Sequence, residues 1–280
     1  MVKEETSTSG LSAANVLYLC QLVYQDSGIV LDESKRYLLE GRLKPLSQDQ
    51  GLSNIDQLCQ RLQADRQAAL RTKVVEAMTT NETQFFRDLP IWDGLRQKII
   101  PELAAGRTVV HQLSIWCAAC SSGQEPYSLA MLLKEILPNA SLWNVDILGT
   151  DISAAMLERC RKARYAQLEV NRGLPVQNLV KYFQREHLEW EVKSEIRAMT
   201  RFKHFNLNGP IRGLGVFDLV MCRNVMIYFD SEMKKQVLAG IRSVLAPDGY
   251  LLLGGAETVY NLDDHFERIS IGTASFYKLK

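Results

Sequence analysis

Strand-like and helix-like segments alternate from about residue 108 onward, and this alternation limits the fold more than any other feature of the 280 residues. The segments follow one another in this order: strand 112–118, helix 125–137, strand 145–150, helix 153–162, strand 216–222, helix 231–245 and strand 250–255. Such alternation is typical of a parallel sheet with helices on its faces. The end of the chain, around Gly272, predicts an antiparallel hairpin at the edge of that sheet.

The first hundred residues show helical spacing and no strand pattern. Apolar residues recur at three- and four-residue intervals in four segments, near residues 16–23, 39–46, 58–62 and 70–78. Pro45 lies inside the second pattern and is expected to end its regular hydrogen bonding. We therefore predict a helical domain with its linker over residues 1–90 and an α/β domain over residues 91–280.

One stretch interrupts the regular order of strands and helices. Between Trp190 and Phe205, apolar and polar residues alternate with the period of a strand. We interpret this stretch as two or three short antiparallel strands. They predict a small β-subdomain, at about residues 186–206, inserted in the larger domain.

Composition narrows the functional classes. The formal net charge is +1, which does not favour nucleic acid as a partner. No run approaches the roughly 20 apolar residues of a membrane span, and the first residues lack the apolar stretch of a secretory signal. Six cysteines in such a sequence are typical of reduced thiols. We expect a cytoplasmic protein without membrane insertion.

The strand–turn–helix segment 113–133 has the local order of a nucleotide site, but its turn carries a single glycine, Gly123. A dinucleotide fingerprint requires more small residues, and Glu125 beside the helix start would repel phosphate. Cys117 and Cys120 form one C-x-x-C pair without a second pair at zinc spacing. We interpret these thiols as packing residues and expect no metal site.

A nucleoside that carries positive charge instead of phosphates fits the turn better, and S-adenosylmethionine is such a ligand. Glu125 lies at the first strand–helix turn, and Asp151 follows the second strand. An acidic residue after the second strand can accept both ribose hydroxyls. Each residue alone is also explained as an acid favoured by a helix N-terminus. Their positions at two neighbouring strand ends favour the ligand.

Four motifs closely resemble one family. They are TTNETQFFRD at 79–88, IWCAACSSGQEPYSLA at 115–130, LGTDIS at 148–153 and FDLVMCRNVMIYFD at 217–230. In order and spacing they resemble the chemotaxis receptor methyltransferases of the CheR family, and the resemblance covers nearly the whole chain. It implies methyl transfer from S-adenosylmethionine to glutamate side chains of chemoreceptors, which gives glutamyl methyl esters.

The resemblance also implies an architecture and a set of site residues. The architecture is a class I methyltransferase with a doubly wound sheet, an antiparallel C-terminal hairpin, a small inserted antiparallel β-subdomain and an all-helical N-terminal domain. The implied cofactor contacts are Asn81, Thr83, Arg87, Glu125, Asp151, Asn206, Leu207, Asn224 and Val225.

The acceptor in this chemistry is a carboxylate that is already ionised at neutral pH, because its pKa is about 4.3. No general base is needed, so the site must supply alignment and removal of water. We assign catalytic roles to two residues. Arg87 can orient the acidic substrate or bind the cofactor carboxylate. Tyr228 can place its hydroxyl near the transferred methyl group, or it is half-buried packing beside Phe229.

A basic cluster in the helical domain is a candidate surface for docking the substrate. Lys35, Arg36 and Arg42 lie on or near the second helix and can align the acidic cytoplasmic helical bundle of a receptor. Interleaved acids leave a solvated charged face as an equal alternative. Because residues 182–208 contain no glycine, we do not expect the inserted subdomain to bind a receptor C-terminal pentapeptide.

Two other functions remain open at this point. The chain can be a class I methyltransferase for a small molecule or RNA, or a non-catalytic adaptor that senses the cofactor. The near-zero net charge argues against RNA. The intact set of Arg87, Glu125, Asp151 and Asn224 argues against a site without activity.

Overall fold

The computed structural model describes residues 11–64 and 68–280. The chain divides into two compact units between Thr80 and Asn81. The sequence places this boundary at residue 90, ten residues later. The structure assigns residues 81–90 to the larger unit because Phe85 and Phe86 are buried in its hydrophobic core.

The smaller unit consists of helices, as predicted. They are α1 (Ala13–Ser27), α2 (Arg36–Asp49), α3 (Ile55–Ala64) and α4 (Ala68–Met78). The expectation for Pro45 was wrong, because α2 continues through it to Asp49. Pro45 and Gly41 are both exposed, so water can satisfy the carbonyl oxygen that the proline leaves without a donor. Burial of Leu43 and Ser47 holds the two halves of the helix in line.

The larger unit contains a seven-stranded sheet in the order β6-β2-β1-β7-β8-β10-β9. Its strands are β1 (Gln112–Ala118), β2 (Asn144–Asp151), β6 (Thr200–His204), β7 (Phe217–Cys222), β8 (Leu245–Leu253), β9 (Phe266–Ile271) and β10 (Ala274–Leu279). The first five in spatial order are parallel, and β10 pairs antiparallel with both β8 and β9. This confirms the predicted sheet and the hairpin around Gly272.

Helices accompany this sheet along the chain. They are α5 (Leu89–Gly94), a π-helical turn (Leu95–Ile99), α6 (Ile100–Ala105), α7 (Gln124–Ile136), α8 (Ala154–Lys162), α9 (Gln167–Val170), α10 (Val176–Tyr182), α11 (Ser194–Arg197) and α12 (Ser231–Val244). Within the described residues, none of the helices is both long enough and apolar enough to cross a membrane.

The inserted antiparallel sheet exists, but its bounds differ from the predicted 186–206. It consists of β3 (Arg164–Ala166), β4 (Phe183–Glu186) and β5 (Glu189–Val192) in the order β3-β5-β4. The segment Thr200–His204, predicted to belong to it, is β6 of the main sheet and pairs parallel with β2. Phe202 explains this pairing, because its ring packs edge-to-face against that of Tyr127 on α7, with 5.8 Å between the ring centroids.

The sheet has a topological switch between β1 and β7. The chain passes from β1 to β2 on one side and from β7 to β8 on the other. Ligands of open α/β sheets bind outside the carboxyl ends of the strands at such a point. The residues that follow β1, β2 and β7 are therefore the first candidates for a site.

Arg107 ties the opposite, amino end of the sheet together. Its guanidinium donates to Asp218 at 2.7 Å and to both carboxylate oxygens of Asp248 at 2.7 and 2.8 Å. Asp218 in turn accepts the backbone N–H of Ser114 at 2.8 Å. The three side chains thus connect β1, β7 and β8 in the amino-terminal halves of these strands.

Replacing Arg107 with methionine is expected to lower the free energy of unfolding of this unit by about 2 kcal/mol, because Asp218 then lies mostly buried without its cation. Urea denaturation followed by tryptophan fluorescence measures this loss, since all four tryptophans lie in the larger unit. Lys235→Met is the matched control, because Lys235 pairs with the exposed Glu232. Equal midpoints for the two variants would contradict the role of Arg107.

Candidate active site at the carboxyl ends of the central strands

The turn between β1 and α7 is held by its neighbours and does not depend on a run of glycines. Ser121 donates its hydroxyl to the carbonyl oxygen of Asn81 at 2.7 Å, and Tyr165 donates to that of Ser122 at 2.8 Å. Gly123 adopts a φ of 96°, and a Cβ there would lie 3.0 Å from the Tyr165 hydroxyl. One glycine is therefore sufficient for this turn, and its position is fixed by close approach.

The cysteines of the turn are packing residues. All six cysteines of the chain are free and buried. Burial raises the pKa of the Cys117 thiol well above its usual range, and a hydrogen bond with Cys160 together with burial does the same for Cys120. Protonated thiols are poor metal ligands. Residues 11–64 and 68–280 contain no group of three or more His, Cys, Asp and Glu side chains that could hold a metal ion.

Asp151 ends β2 and is buried against the same turn. One carboxylate oxygen accepts the N–H of Ser121 at 2.8 Å, and the other accepts the N–H of Ser153 at 2.9 Å. Burial raises the pKa of Asp151, and these backbone hydrogen bonds oppose that rise. The backbone N–H of Ile152 is a third donor to this carboxylate, which still has lone-pair capacity for a ligand hydroxyl. Asp151 is thus a fixed carboxylate that can accept a hydrogen bond from a ligand hydroxyl.

Glu125 lies in the first turn of α7, and only 12% of its side chain is exposed. Its Oε2 accepts a hydrogen bond from Arg223 at 2.7 Å. Burial raises the pKa of Glu125, and the positive charge of Arg223 lowers it. Within the described part of the chain, Oε1 accepts no hydrogen bond. Glu125 can therefore offer one carboxylate oxygen to a cationic group.

Arg223 is a site residue that our sequence reasoning missed. It follows β7 directly, and its side chain is 2% exposed. Besides Glu125, it donates to the Asp88 carboxylate at 2.7 Å and to the Arg87 carbonyl oxygen at 2.9 Å. Its Nε is buried and has no hydrogen-bond partner among the described residues. An arginine at the end of an apolar strand was the available clue, because burying its charge requires partners.

The segment 81–88 runs beside the turn and carries three of the predicted site residues. The N–H of Phe86 donates to Ser128 at 3.0 Å, and Arg223 holds the far end of the segment. Asn81 and Thr83 are half-buried here. Arg87 is half-buried as a residue, and its guanidinium donates to the carbonyl oxygen of Glu82 at 3.3 Å in an exposed hydrogen bond.

The inserted sheet supports this segment from the other side. The Phe85 ring makes edge-to-face contacts with Tyr165 at 5.0 Å and Phe183 at 5.6 Å. Arg172 donates to Glu82 at 2.6 Å. Gly173 lies so close that a Cβ at this position would be 2.1 Å from the Phe85 carbonyl oxygen. The position of residues 81–88 thus depends on the insertion.

The remaining predicted contacts follow β6 and β7. Phe205 donates its N–H to the Asp151 carbonyl oxygen at 3.0 Å, which places Asn206 and Leu207 close to the end of β2. Asn206 is half-buried, and its side-chain oxygen accepts the N–H of Asn208 at 3.0 Å. Leu207 is buried.

The turn after β7 holds Asn224 and Val225, and Tyr228 ends the 3-10 helix Met226–Tyr228 that follows. Asn224 has a φ of 58°, in the left-handed region. Both Asn224 and Tyr228 are half-buried. Sequence order alone had placed these residues at a strand end, and the sheet order puts that end next to β1.

The basic residues predicted to dock the substrate belong to the smaller unit. Arg42 donates to the carbonyl oxygens of Met78 and Thr79, both at 2.8 Å, and so caps the end of α4. Arg36 is exposed at the start of α2, and Lys35 is half-buried. Arg42 thus has a structural task within its own unit, which weakens its assignment to a docking face.

Comparison with known proteins gives relatives over nearly the full length. The chemotaxis protein methyltransferase Cher2 of Pseudomonas putida is 41% identical over 258 residues, covering 90% of this chain and 93% of the relative. Chemotaxis protein methyltransferase 1 of Pseudomonas aeruginosa is 40% identical and covers 96% and 100%. The chemotaxis protein methyltransferase of Vibrio parahaemolyticus is 42% identical and covers 90% and 92%.

Family models match both units of the chain. The model of the CheR methyltransferase all-alpha domain matches residues 16–79, and that of the CheR methyltransferase SAM-binding domain matches residues 81–274. The boundary between the matches coincides with the division between the two compact units. Because both family models match and relatives of about 40% identity cover most of the chain, the chain belongs to the CheR methyltransferase family and uses S-adenosylmethionine as its methyl donor.

Proposed function

We propose that this protein transfers the methyl group of S-adenosylmethionine to glutamate side chains of methyl-accepting chemoreceptors and forms glutamyl methyl esters. The observation that supports this most is the cluster at the sheet switch point. Glu125, held by Arg223, and Asp151 follow adjacent parallel strands, β1 and β2. In a chain of the CheR family, two anions at this point suit a donor that carries an ammonium, a sulfonium and a ribose diol.

The donor set of the chain fits each part of this cofactor. The buried carboxylate of Asp151 suits the ribose hydroxyls as a hydrogen-bond acceptor. Oε1 of Glu125 suits the ammonium group, and Arg87 suits the cofactor carboxylate or the acceptor glutamate. Asn224 and Val225 after β7, and Asn206 and Leu207 after β6, complete the proposed binding residues. When bound, the cofactor supplies an electrophilic methyl group.

The protein's contribution to the chemical step is alignment. The acceptor carboxylate is ionised at neutral pH, so no side chain has to remove a proton from it. We assign Arg87 the task of orienting the acceptor and Tyr228 the task of placing its hydroxyl beside the reacting groups. Transfer would convert an anionic acceptor and a cationic donor into two neutral groups, an ester and a thioether, so residues that exclude water from the site favour it.

The proposed partner is the cytoplasmic helical bundle of a chemoreceptor, and the proposed location is therefore the cytoplasm. Six free thiols are consistent with a reducing compartment. In the inserted sheet, β4 and β5 are joined by only two residues, His187 and Leu188. This short connection supports direct recognition of the bundle over tethering to a receptor pentapeptide.

Transfer of labelled methyl from S-adenosylmethionine to receptor-containing membranes tests the function. We expect label that base releases as methanol, because carboxyl esters hydrolyse in base. Asp151→Asn should lose most of this activity, and Lys235→Met should retain it, because Lys235 pairs only with the exposed Glu232 among the described residues. Base-stable label, or cofactor binding without transfer to receptors, would favour a different methyltransferase or an adaptor.

Acidification is expected to weaken binding of S-adenosylhomocysteine at pH values above the ordinary titration range of carboxylates. Burial raises the pKa of both Glu125 and Asp151. As pH falls, these carboxylates therefore bind protons, and lose their negative charge, at a higher pH than exposed carboxylates do. The same shifts make the folded state hold these protons more tightly than the unfolded chain, so these two groups add stability as pH falls. Calorimetric titrations at a series of pH values measure the affinity for S-adenosylhomocysteine. Melting curves at the same pH values measure stability, so the pH dependence of binding can be told from that of folding. An affinity that is independent of pH would contradict the assignment.

Charge reversal at Arg36 is expected to raise the KM for receptor membranes about threefold or more at low salt, with affinity for S-adenosylhomocysteine unchanged. Arg36 replaces the wider cluster in this test because Arg42 caps α4. Lys73→Glu is the matched control, since Lys73 is an exposed cation on α4 of the same unit. If both variants methylate receptors equally well, the α2 face does not dock the substrate.

A further inference from the structure

Glu257, which follows β8, accepts four backbone hydrogen bonds from two separate turns. Its Oε2 accepts the N–H of Asn224 and that of Gly254, both at 2.7 Å. Its Oε1 accepts the N–H of Val225 at 3.0 Å and that of Met226 at 2.7 Å. The four lone-pair positions of the carboxylate are thereby filled. Glu257 has no acceptor left for a ligand.

The convergence of three consecutive N–H groups on one anion determines the shape of the turn after β7. Asn224 is held in the left-handed region, which L-residues seldom adopt without a compensating interaction. Gly254 allows the approach from the other side, because a Cβ there would lie 2.7 Å from Glu257 Oε2 and 2.8 Å from Asn224 Nδ2. The two turns and the carboxylate form one interlocked unit.

This arrangement limits what the turn can offer to a ligand. The N–H groups of residues 224–226 are committed to Glu257. The carbonyl oxygens of Val225 and Met226 accept the N–H groups of Tyr228 and Phe229, at 3.2 and 3.1 Å. The Asn224 side chain is therefore the main hydrogen-bonding group that the turn can present to a ligand. Contacts from Asn224 and Val225 to a ligand therefore depend on an orientation that Glu257 imposes.

We propose that Glu257 is a positioning residue for S-adenosylmethionine, which holds the Asn224–Met226 turn in its binding conformation without touching the ligand. This inference rests on the proposed role of Asn224 and Val225 in cofactor binding. It adds a residue that none of the four sequence motifs contains. Because the carboxylate acts through four hydrogen bonds, a group with the same shape but only one acceptor oxygen should not replace it.

Glu257→Gln and Glu257→Asp test the proposal, with Glu232→Gln as the matched control at the exposed start of α12. Glutamine presents an NH2 group to N–H donors, so the affinity for S-adenosylhomocysteine should fall about tenfold or more by calorimetry. Aspartate keeps the charge and both oxygens and should restore part of the affinity. The KM for S-adenosylmethionine should rise in Glu257→Gln, and the KM for receptor should stay constant.

Amide NMR of the unmodified protein provides a readout that does not depend on a variant folding. The amide protons of residues 224–226 and 254 should resonate at low field and exchange slowly, as donors to a carboxylate do. Affinity unchanged in Glu257→Gln, or ordinary shifts for these four protons, would overturn the proposal. If the unmodified protein does not bind S-adenosylhomocysteine, the proposed cofactor site fails, and the NMR result still reports on Glu257 itself.

Discussion

Replacing Arg223 with methionine is expected to weaken S-adenosylhomocysteine binding by about 30-fold or more and to lower the free energy of unfolding by about 3 kcal/mol. The side chain is almost fully buried and donates to Glu125, Asp88 and the Arg87 carbonyl oxygen. Without it, Glu125 is a buried charge that has lost its hydrogen-bonded cation, and only the weaker attraction of Arg87 remains. Glu125 should then bind a proton and lose its role as an anion.

Calorimetry and urea denaturation measure these two losses, and a double variant separates them. Arg223→Met combined with Glu125→Gln removes the unpaired charge, so it should recover part of the stability without recovering the affinity. Arg223→Lys keeps the charge but cannot bridge all three acceptors, and an intermediate affinity is expected. Wild-type stability and wild-type affinity in Arg223→Met would show that the bridge does not support the site.

Replacing Gly173 with alanine is expected to cost about 3 kcal/mol of stability and to reduce both cofactor affinity and methyl transfer at least about tenfold. The new Cβ would lie 2.1 Å from the Phe85 carbonyl oxygen, and the φ of 86° is strained for alanine. Since backbone occupies that space, residues 81–88 must move. This segment carries Arg87 and two of the three groups that Arg223 binds, so the displacement reaches the site.

Gly213→Ala is the matched control for Gly173→Ala. Gly213 has a φ of 69° in the same unit, but a Cβ there meets no atom within 4 Å. It therefore carries the backbone strain without the collision and should cost about 1 kcal/mol with normal binding. Urea denaturation and calorimetry of the pair isolate the contact with Phe85. Equal behaviour of the two variants would mean that the insertion does not position residues 81–88.

Much of the architecture follows from patterns that are local in the chain. Alternating strand and helix periods predicted the parallel sheet, and the strand–turn–helix order placed Glu125 and Asp151 at the ends of β1 and β2. The resemblance to CheR methyltransferases added the helical unit and the remaining site residues. Local pattern was sufficient here because each conclusion depends on residues that are adjacent in sequence or one helical turn apart.

Two sequence predictions were wrong, those for residues 200–204 and for Pro45, and in both cases the outcome depended on surroundings that are distant in sequence or set by solvent. The alternation in residues 200–204 is the same for an edge strand of either sheet, and only the packing of Phe202 beside Gly149 and Tyr127 assigns it to the main sheet. Pro45 was expected to end α2. The helix continues because Gly41, whose carbonyl oxygen receives no N–H from Pro45, is exposed and that oxygen can bind water instead. Neither the packing of Phe202 nor the exposure of Gly41 can be read from the local sequence pattern.

The amino-acid sequence by itself determined the class of fold, the family and the acidic residues that follow the first two strands. Only the tertiary structure decided what holds these residues in place. Arg223 reaches Glu125 across 98 residues and Asp88 across 135, and Glu257 reaches Asn224 across 33. A buried charge can pair with any opposite charge or amide that the fold brings near it, so periodicity and motif spacing carry no information about which one it meets.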